Sequence, residues 1–403
     1  MTSNSRTNQR LAVVLSHPTQ YYSPWFQWLK ANSQLQFRVF YLWDFGVTHQ
    51  VDPKFGTAIK WDVDLLSGYE SEFVPNTSSN PGAESFFGFK NPELGSRLEA
   101  YRPDALLLFG YKWASHLKAV AWARWRRVPI IFRGDSNLIG RPAPALHVYA
   151  SLRLLFAQMA AFVYVGSANR EYFERFCVPS RKLFFSPHSV NSALYKPDES
   201  LRARSLDLRR QLGINEAARV FVFAGKLVPA KQPVALLRAF LELGMNDTAL
   251  VIVGDGSEKS ELSRIASENA GREGGLSVHF MPFANQSAMP SLYLMADVFV
   301  LPSAGVWETW GLAINEAMHM GIPCIVSDRV GCQRDLVTEG ETGWVFDPEK
   351  PGSLKAALSR ALSAIGSEAR RDAIRTAVGR RISAYTYMQT TEGLLSALAS
   401  LGA

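Results

Sequence analysis

Twelve short apolar runs rich in Val, Ile, Leu and Phe recur along the chain, with stretches long enough for helices between them. Buried strands alternating with crossover helices are the pattern of parallel α/β sheets. The runs fall into two series. The first predicts strands at residues 11–16, 37–43, 104–109, 129–133, 162–165 and 182–186. The second predicts strands at 220–224, 250–253, 278–281, 298–301, 324–327 and 344–346. Residues 191–218, polar and charged around Pro197, read as a linker with a leading helix. At 403 residues the chain exceeds the size at which one core keeps growing, so two domains are expected. We place them at 1–195 and 196–385, with a helix over 386–403 packing back on the first. Each series suits a doubly wound sheet, which puts the deepest crevice between the two, at the carboxyl ends of their strands. Residues 48–93, rich in Gly, Pro, Asn and Ser, read as functional loops or a lid.

Charge is unevenly placed. Residues 1–200 hold 22 Lys and Arg against 15 Asp and Glu, whereas the remainder holds 21 of each, so the net +7 belongs to the first half. That half suits an anionic partner: a membrane surface, a phosphorylated lipid carrier or a nucleic acid. Cys177, Cys324 and Cys332 are odd in number, lack metal-ligand spacing, and read as small buried hydrophobes. The first ten residues lack the apolar core of a secretory leader. The longest apolar stretch, 143–166, is interrupted by His147, Arg153 and Gln158, which falls short of the roughly 20 apolar residues of a membrane span. A cytoplasmic protein is expected, with at most peripheral contact at the inner face of the membrane.

Candidate chemistry concentrates in the second series. After the strand at 220–224 come Gly225, Lys226 and Lys231. Gly225 permits a tight turn, and two ammonium groups beside a strand end can hold a diphosphate without a metal. Gly254-Asp255-Gly256 marks the next strand end but lacks the G-x-G-x-x-G spacing, which disfavours a nicotinamide dehydrogenase. The strongest signal runs from Pro302 to Met318. There a strand feeds a loop, a helix opens near Gly311, and Gly321 and Pro323 stop it. Backbone N–H groups of Thr309, Trp310, Gly311 and Leu312, at the positive end of that helix, suit a phosphate. Glu316, flanked by Leu312, Ala313, Ala317 and Met320, lies at a depth where a carboxylate can accept both hydroxyls of a ribose. Glu308, nearer the mouth, can reach a sugar or its phosphate linkage.

The run from Glu308 to Glu316 resembles the E-x7-E motif of family 4 retaining glycosyltransferases. Gly225-Lys226 with Lys231, Gly254-Asp255-Gly256, Pro302-Ser303, Gly311-Leu312, Glu316-Ala317-Met318, Gly321-Ile322-Pro323 and Gly340-Glu341-Thr342-Gly343 carry the likeness across residues 221–348. The resemblance implies a GT-B fold: two Rossmann-like domains face a central cleft, the first taking the acceptor and the second a nucleotide-sugar donor. It implies that Lys226 and Lys231 meet the donor diphosphate, Glu316 the ribose, and Glu308 the donor sugar as a catalytic group. Phe283, in Met281-Pro282-Phe283, would line the base pocket. The nucleotide sugar would be a co-substrate, with neither cofactor nor metal, and no nucleic acid is then expected.

The first half matches less closely. Its first loop, Ser16-His17-Pro18-Thr19-Gln20-Tyr21, has no glycine, yet is similar to a segment in family members linked to surface polysaccharides. His17 and Gln20 are cleft candidates; local capping by His17 and a core place for Tyr21 are the competing reading. Arg133 and Asp135 stand where many relatives carry a histidine near the donor sugar, and are catalytic candidates. Lys118, Arg124, Arg126 and Arg127 interleave with Trp113, Trp122 and Trp125. That helix suits a membrane surface or, the favoured reading, an outer helix with its tryptophans on the sheet. The expected reaction is sugar transfer to a glycan or lipid-linked acceptor in surface polysaccharide or glycoconjugate synthesis. A nucleotide-sugar epimerase and a non-catalytic sugar-nucleotide-binding subunit are the alternatives.

Overall fold

Strand composition and burial explain the architecture directly. In the computed structural model, which describes residues 9–47, 51–52, 57–58, 61–245, 247–269 and 277–402, the apolar runs form two parallel sheets. The first contains β1 (Arg10–Leu15), β2 (Gln36–Tyr41), β5 (Glu70–Phe73), β6 (Ala105–Phe109), β7 (Ile130–Arg133), β8 (Ala161–Tyr164) and β9 (Leu183–Phe185), ordered β5-β2-β1-β6-β7-β8-β9. The second contains β10 (Arg219–Ala224), β11 (Thr248–Val253), β12 (Ser277–Met281), β13 (Val298–Leu301), β14 (Cys324–Ser327) and β15 (Gly343–Phe346), ordered β12-β11-β10-β13-β14-β15. A short antiparallel pair, β3 (Val51–Asp52) and β4 (Thr57–Ala58), stands apart. Part of the segment expected to form loops over 48–93 lies outside the described residues.

All twelve predicted strands are present, their ends shifted by two residues or fewer. In the inner strands the Val, Ile, Leu and Phe side chains are buried on both faces, as parallel sheets covered by helices require, whereas the outer strands β9 and β12 are only partly buried. The edge strand β5 carries no apolar run. Its Glu-Ser-Glu-Phe sequence is only partly buried and pairs through the backbone with β2, so hydropathy does not reveal it.

In both sheets the chain runs outward from the first strand and then reverses, placing switch points between β1 and β6 and between β10 and β13. Loops at such points open the crevice that binds ligands in this architecture. The helix Tyr387–Ser400 crosses back to the first sheet, where Tyr387, Leu394, Ala397 and Leu398 join the cluster of Leu11, Val13 and Trp25. The Trp25 indole donates to the Thr391 hydroxyl at 3.0 Å.

The expectation of buried cysteines needs one correction. Cys324 and Cys332 are buried, but Cys177 is exposed, at a φ of 62° beyond the helix Ser167–Arg175. In the helix Ala114–Arg126 (with Trp113 at its cap), Trp113 and Trp122 pack toward the sheet, whereas Trp125 is 73% exposed.

Candidate active site

At the second switch point the backbone itself makes room for a ligand. Gly254 follows β11 at a φ of 144°, and a Cβ there would stand 2.0 Å from the Gly225 carbonyl oxygen. Only glycine lets the loops after β10 and β11 approach this closely. Between them and the helix Leu312–His319 lies a cavity of about 330 Å³, lined by Gly225, Lys226, Lys231, Glu308, Leu312 and Ala313 from the second domain. Gln20, Tyr21, Phe45 and Trp61 close it from the first. A contiguous cavity of about 140 Å³ continues past Gly254 to Phe283, Gln286, Tyr293 and Glu316.

The charges are arranged in depth. Near the mouth the Lys231 ammonium pairs with the Glu308 carboxylate, which also accepts from the Ser303 hydroxyl at 2.9 Å. Glu316 lies deeper and is 3% exposed. Its Oε2 accepts from the Tyr293 hydroxyl at 2.6 Å, while Oε1 is buried without a hydrogen-bond partner. Burial pushes this carboxyl up to about 7, with the Tyr293, Tyr195 and Gln286 side chains acting in the opposite direction. A buried acceptor left unpaired costs free energy until a donor reaches it. Lys226 and Lys231 line the adjoining cavity.

The first domain meets the same loop from the other side. Asp135, after β7, accepts from the Thr309 hydroxyl at 2.7 Å, and the buried His188 ring stands 3.7 Å from the same carboxylate. Burial raises the Asp135 carboxyl, but hydrogen bonding and charge from His188, with the Thr309 hydroxyl, bring it below its ordinary value. Burial lowers the His188 ring, against the opposing pull of Asp135. Further bonds cross the seam: Asn137 Nδ2 to the Thr309 carbonyl at 2.9 Å, Arg141 Nη2 to the Val306 carbonyl at 2.7 Å, and Asn315 Nδ2 to the His188 carbonyl at 3.0 Å.

Gly225, Lys226, Lys231, Glu308, Leu312, Glu316, Phe283 and Gln20 all line the two cavities. Gly311, at a φ of 97°, caps the helix. Thr309 and Trp310, expected to offer backbone N–H groups, line neither cavity. The Thr309 side chain reaches Asp135, and Trp310 is buried at the seam, donating to Asn315 Oδ1 at 2.8 Å with its ring 5.7 Å from that of His188. Arg133 also differs. It is 1% exposed, with Nη1 donating to the Ser186 carbonyl and hydroxyl at 3.0 and 2.8 Å and Nη2 to the Pro187 carbonyl at 3.3 Å. It therefore fixes the turn that presents His188. His17 packs edge-on against Trp43 and Phe45, shares a 3.0 Å hydrogen bond with Ser16, and lines neither cavity. Burial lowers its ring to about 4.

Three contributors escape sequence reading. Tyr21, given a core place only in the competing reading, packs against the second-domain cluster and also lines both cavities. Trp61 comes from the segment read as a lid, and beside it Asp62 accepts from the Ser287 backbone N–H at 3.2 Å. His188 follows β9, and only the sheet order brings it to Asp135. Its one sequence signal is a polar residue just past a strand end.

Two facing doubly wound domains with a switch-point cleft define the GT-B class. Residues 205–378 match the family described as Glycosyl transferases group 1, so the likeness carried by the E-x7-E run holds across the second domain. The chain is 30% identical over 250 residues to the GDP-mannose-dependent alpha-(1-6)-phosphatidylinositol monomannoside mannosyltransferase of Mycolicibacterium smegmatis, covering 60% of this chain and 62% of that protein. It is 32% identical over 217 residues to the D-inositol 3-phosphate glycosyltransferase of Acidothermus cellulolyticus, covering 52% and 46%. The matches thus span about half to two thirds of these relatives. The structure of Anabaena HepE in complex with UDP superposes with a TM-score of 0.71 at 16% identity, covering 98% of this chain and all of that one, and the fold is shared along its whole length.

Proposed function

We propose that the chain is a retaining glycosyltransferase that moves a sugar from a nucleoside-diphosphate sugar to a glycan or lipid-linked acceptor. The observation that carries this reading is the unpartnered Oε1 of buried Glu316, in a cavity that continues to Lys226, Lys231 and Glu308. The donor ribose binds Glu316, the base lies toward Phe283, and the diphosphate lies by the lysines and the helix start at Leu312. In the reaction the bond between the anomeric carbon and the diphosphate oxygen breaks, and a bond from that carbon to the acceptor oxygen forms on the same face. The acceptor proton passes to the departing phosphate oxygen. Lys226, Lys231 and the helix dipole stabilise the negative charge that develops there. Glu308, beside the sugar, balances positive charge on the ring. Approach of the two domains excludes water.

The acceptor class rests on charge and likeness together. A first half carrying the whole net positive charge suits a phosphate-bearing acceptor, and the relative from Mycolicibacterium smegmatis is named for a phosphatidylinositol mannoside. Surface polysaccharide or glycoconjugate synthesis at the inner membrane face is the corresponding setting. Among the described residues no helix is long and apolar enough to cross a membrane, so contact would be peripheral. Incubation with UDP- and GDP-sugars and glycan or lipid acceptors, followed by NMR of the anomeric proton, tests the reading. A product retaining the donor configuration supports it. An inverted product, or conversion of the nucleotide sugar itself without acceptor, contradicts it.

A further inference from the structure

We infer that the helix Leu146–Phe156 docks the first domain onto an anionic lipid bilayer. Its inner face packs on the domain core through Tyr149, Leu152, Leu155 and Phe156. Its outer face carries Leu146, 83% exposed, and Leu154, 69% exposed, with Arg153 beside them, and the helix contains no acidic residue. Large aliphatic side chains exposed to this extent on one helix mark an interaction site rather than scattered surface apolarity. The helix lies within the 143–166 stretch, too interrupted to span a bilayer.

Charge identifies the occupant. Residues 105–170 contain nine Lys or Arg and a single acid, Asp135, which is bonded to Thr309 at the domain seam. On the neighbouring helix Ala114–Arg126, Trp125 is exposed with the Arg126 guanidinium 4.3 Å from its ring centroid, and Lys118 and Arg124 are exposed beside it. Of the nine, Arg133 is buried, Arg141 bonds across the seam, and Arg126 and Arg170 pair with Glu99 and Glu174. A face with exposed Leu and Trp beside the exposed Lys118, Arg124, Arg127 and Arg153 suits a surface with negative headgroups above an apolar interior. The same excess of cations repels a second copy of this face. The acceptor-side domain would thereby sit at the membrane, so the inference rests on the lipid-linked reading of the acceptor.

Flotation of the full chain with vesicles tests it, comparing phosphatidylcholine containing phosphatidylglycerol at about 30% with phosphatidylcholine alone. The wild type floats with the anionic vesicles, and raised salt weakens this. The double variant Leu146→Glu with Leu154→Glu, which alters only exposed positions, lowers the bound fraction about ten-fold or more. Its melting-temperature shift with nucleoside diphosphates stays intact. Equal flotation of variant and wild type, or no flotation of wild type at low salt, overturns the docking helix. So does a mass by light scattering showing that the wild type dimerises and the variant does not. A nucleotide shift absent from both proteins would count against the donor site and leave flotation as a separate result.

Discussion

The two domains share one strand order over six strands and one type of switch point, yet they furnish the cleft differently. The second contributes close backbone approaches, at Gly225 and Gly254, and charged groups: Lys226, Lys231 and Glu308 after strand ends and Glu316 on the helix Leu312–His319. The first contributes aromatic and polar side chains, Tyr21, Phe45 and Trp61, with a hydrogen-bonded Asp135. A nucleoside diphosphate has a fixed shape and charge, so backbone geometry and point charges suit it. On the proposed reading the acceptor meets side chains on loops of the first domain, where binding groups are commonly carried. The difference teaches that domains of one topology diverge in how far backbone or side chain defines the ligand.

Substitutions can break that comparison. The largest effect is expected at Glu316→Ala and Lys231→Ala, each lowering turnover by about 100-fold or more, because on the proposed reading each removes a charge that contacts the donor. His17→Ala, in the first domain and outside both cavities, should change turnover by less than about ten-fold. Steady-state rates on the three variants decide this.

Backbone dependence comes next. Gly254→Ala places a Cβ 2.0 Å from a carbonyl oxygen at a positive φ and should cost about 3 kcal/mol or more in denaturant unfolding. Gly134→Ala, after β7, meets only the Phe132 ring at 3.1 Å, and should cost about 1 kcal/mol. A similar loss at both would erase the distinction between the domains.

Arg133→Ala sharpens the first-domain side. Removing the guanidinium leaves the Ser186 and Pro187 carbonyls and the Ser186 hydroxyl without it, costing about 2–3 kcal/mol of stability. Asp135→Asn should leave stability nearly unchanged while reducing transfer. Equal destabilisation by both would contradict a positioning role confined to Arg133.

The smallest effect is one of pH. Glu316 is pushed up to about 7 by burial, so its neutral form is favoured in the folded protein. Its contribution to stability is present below the ordinary carboxyl range and lost as pH rises through 7. Ribose hydroxyls donate to the ionised form, so nucleotide affinity runs the other way, about ten-fold weaker at pH 6 than at pH 8. In Glu316→Gln both trends should flatten, measured by calorimetry and by melting temperature across pH.

Legibility in the amino-acid sequence follows the same divide between the domains. The second-domain cavities are readable because charged residues and glycines interrupt apolar runs at strand ends, as in Leu301-Pro302-Ser303 through Glu316, where local spacing brings Glu308 and Glu316 to adjoining cavities. The seam has no such local signature. His188 and Asp135 are 53 residues apart in sequence, and only β8 and β9 beside β7 bring them together. Arg133 has the place of a site residue at a strand end, but its side chain is drawn into hydrogen bonds with the turn after β9. Glu70–Phe73 pairs through backbone groups that leave no hydrophobic trace.

The most direct test is the thermal midpoint of the wild type, Lys231→Ala and Glu316→Ala with UDP, GDP, dTDP, ADP and CMP in turn. A ligand that binds only the folded state raises stability by RT ln(1 + [L]/Kd). The account predicts that one nucleoside diphosphate raises the wild-type midpoint and that both variants lose most of the rise. A shift that survives in both variants would contradict the site, and no shift with any nucleotide would contradict the donor itself.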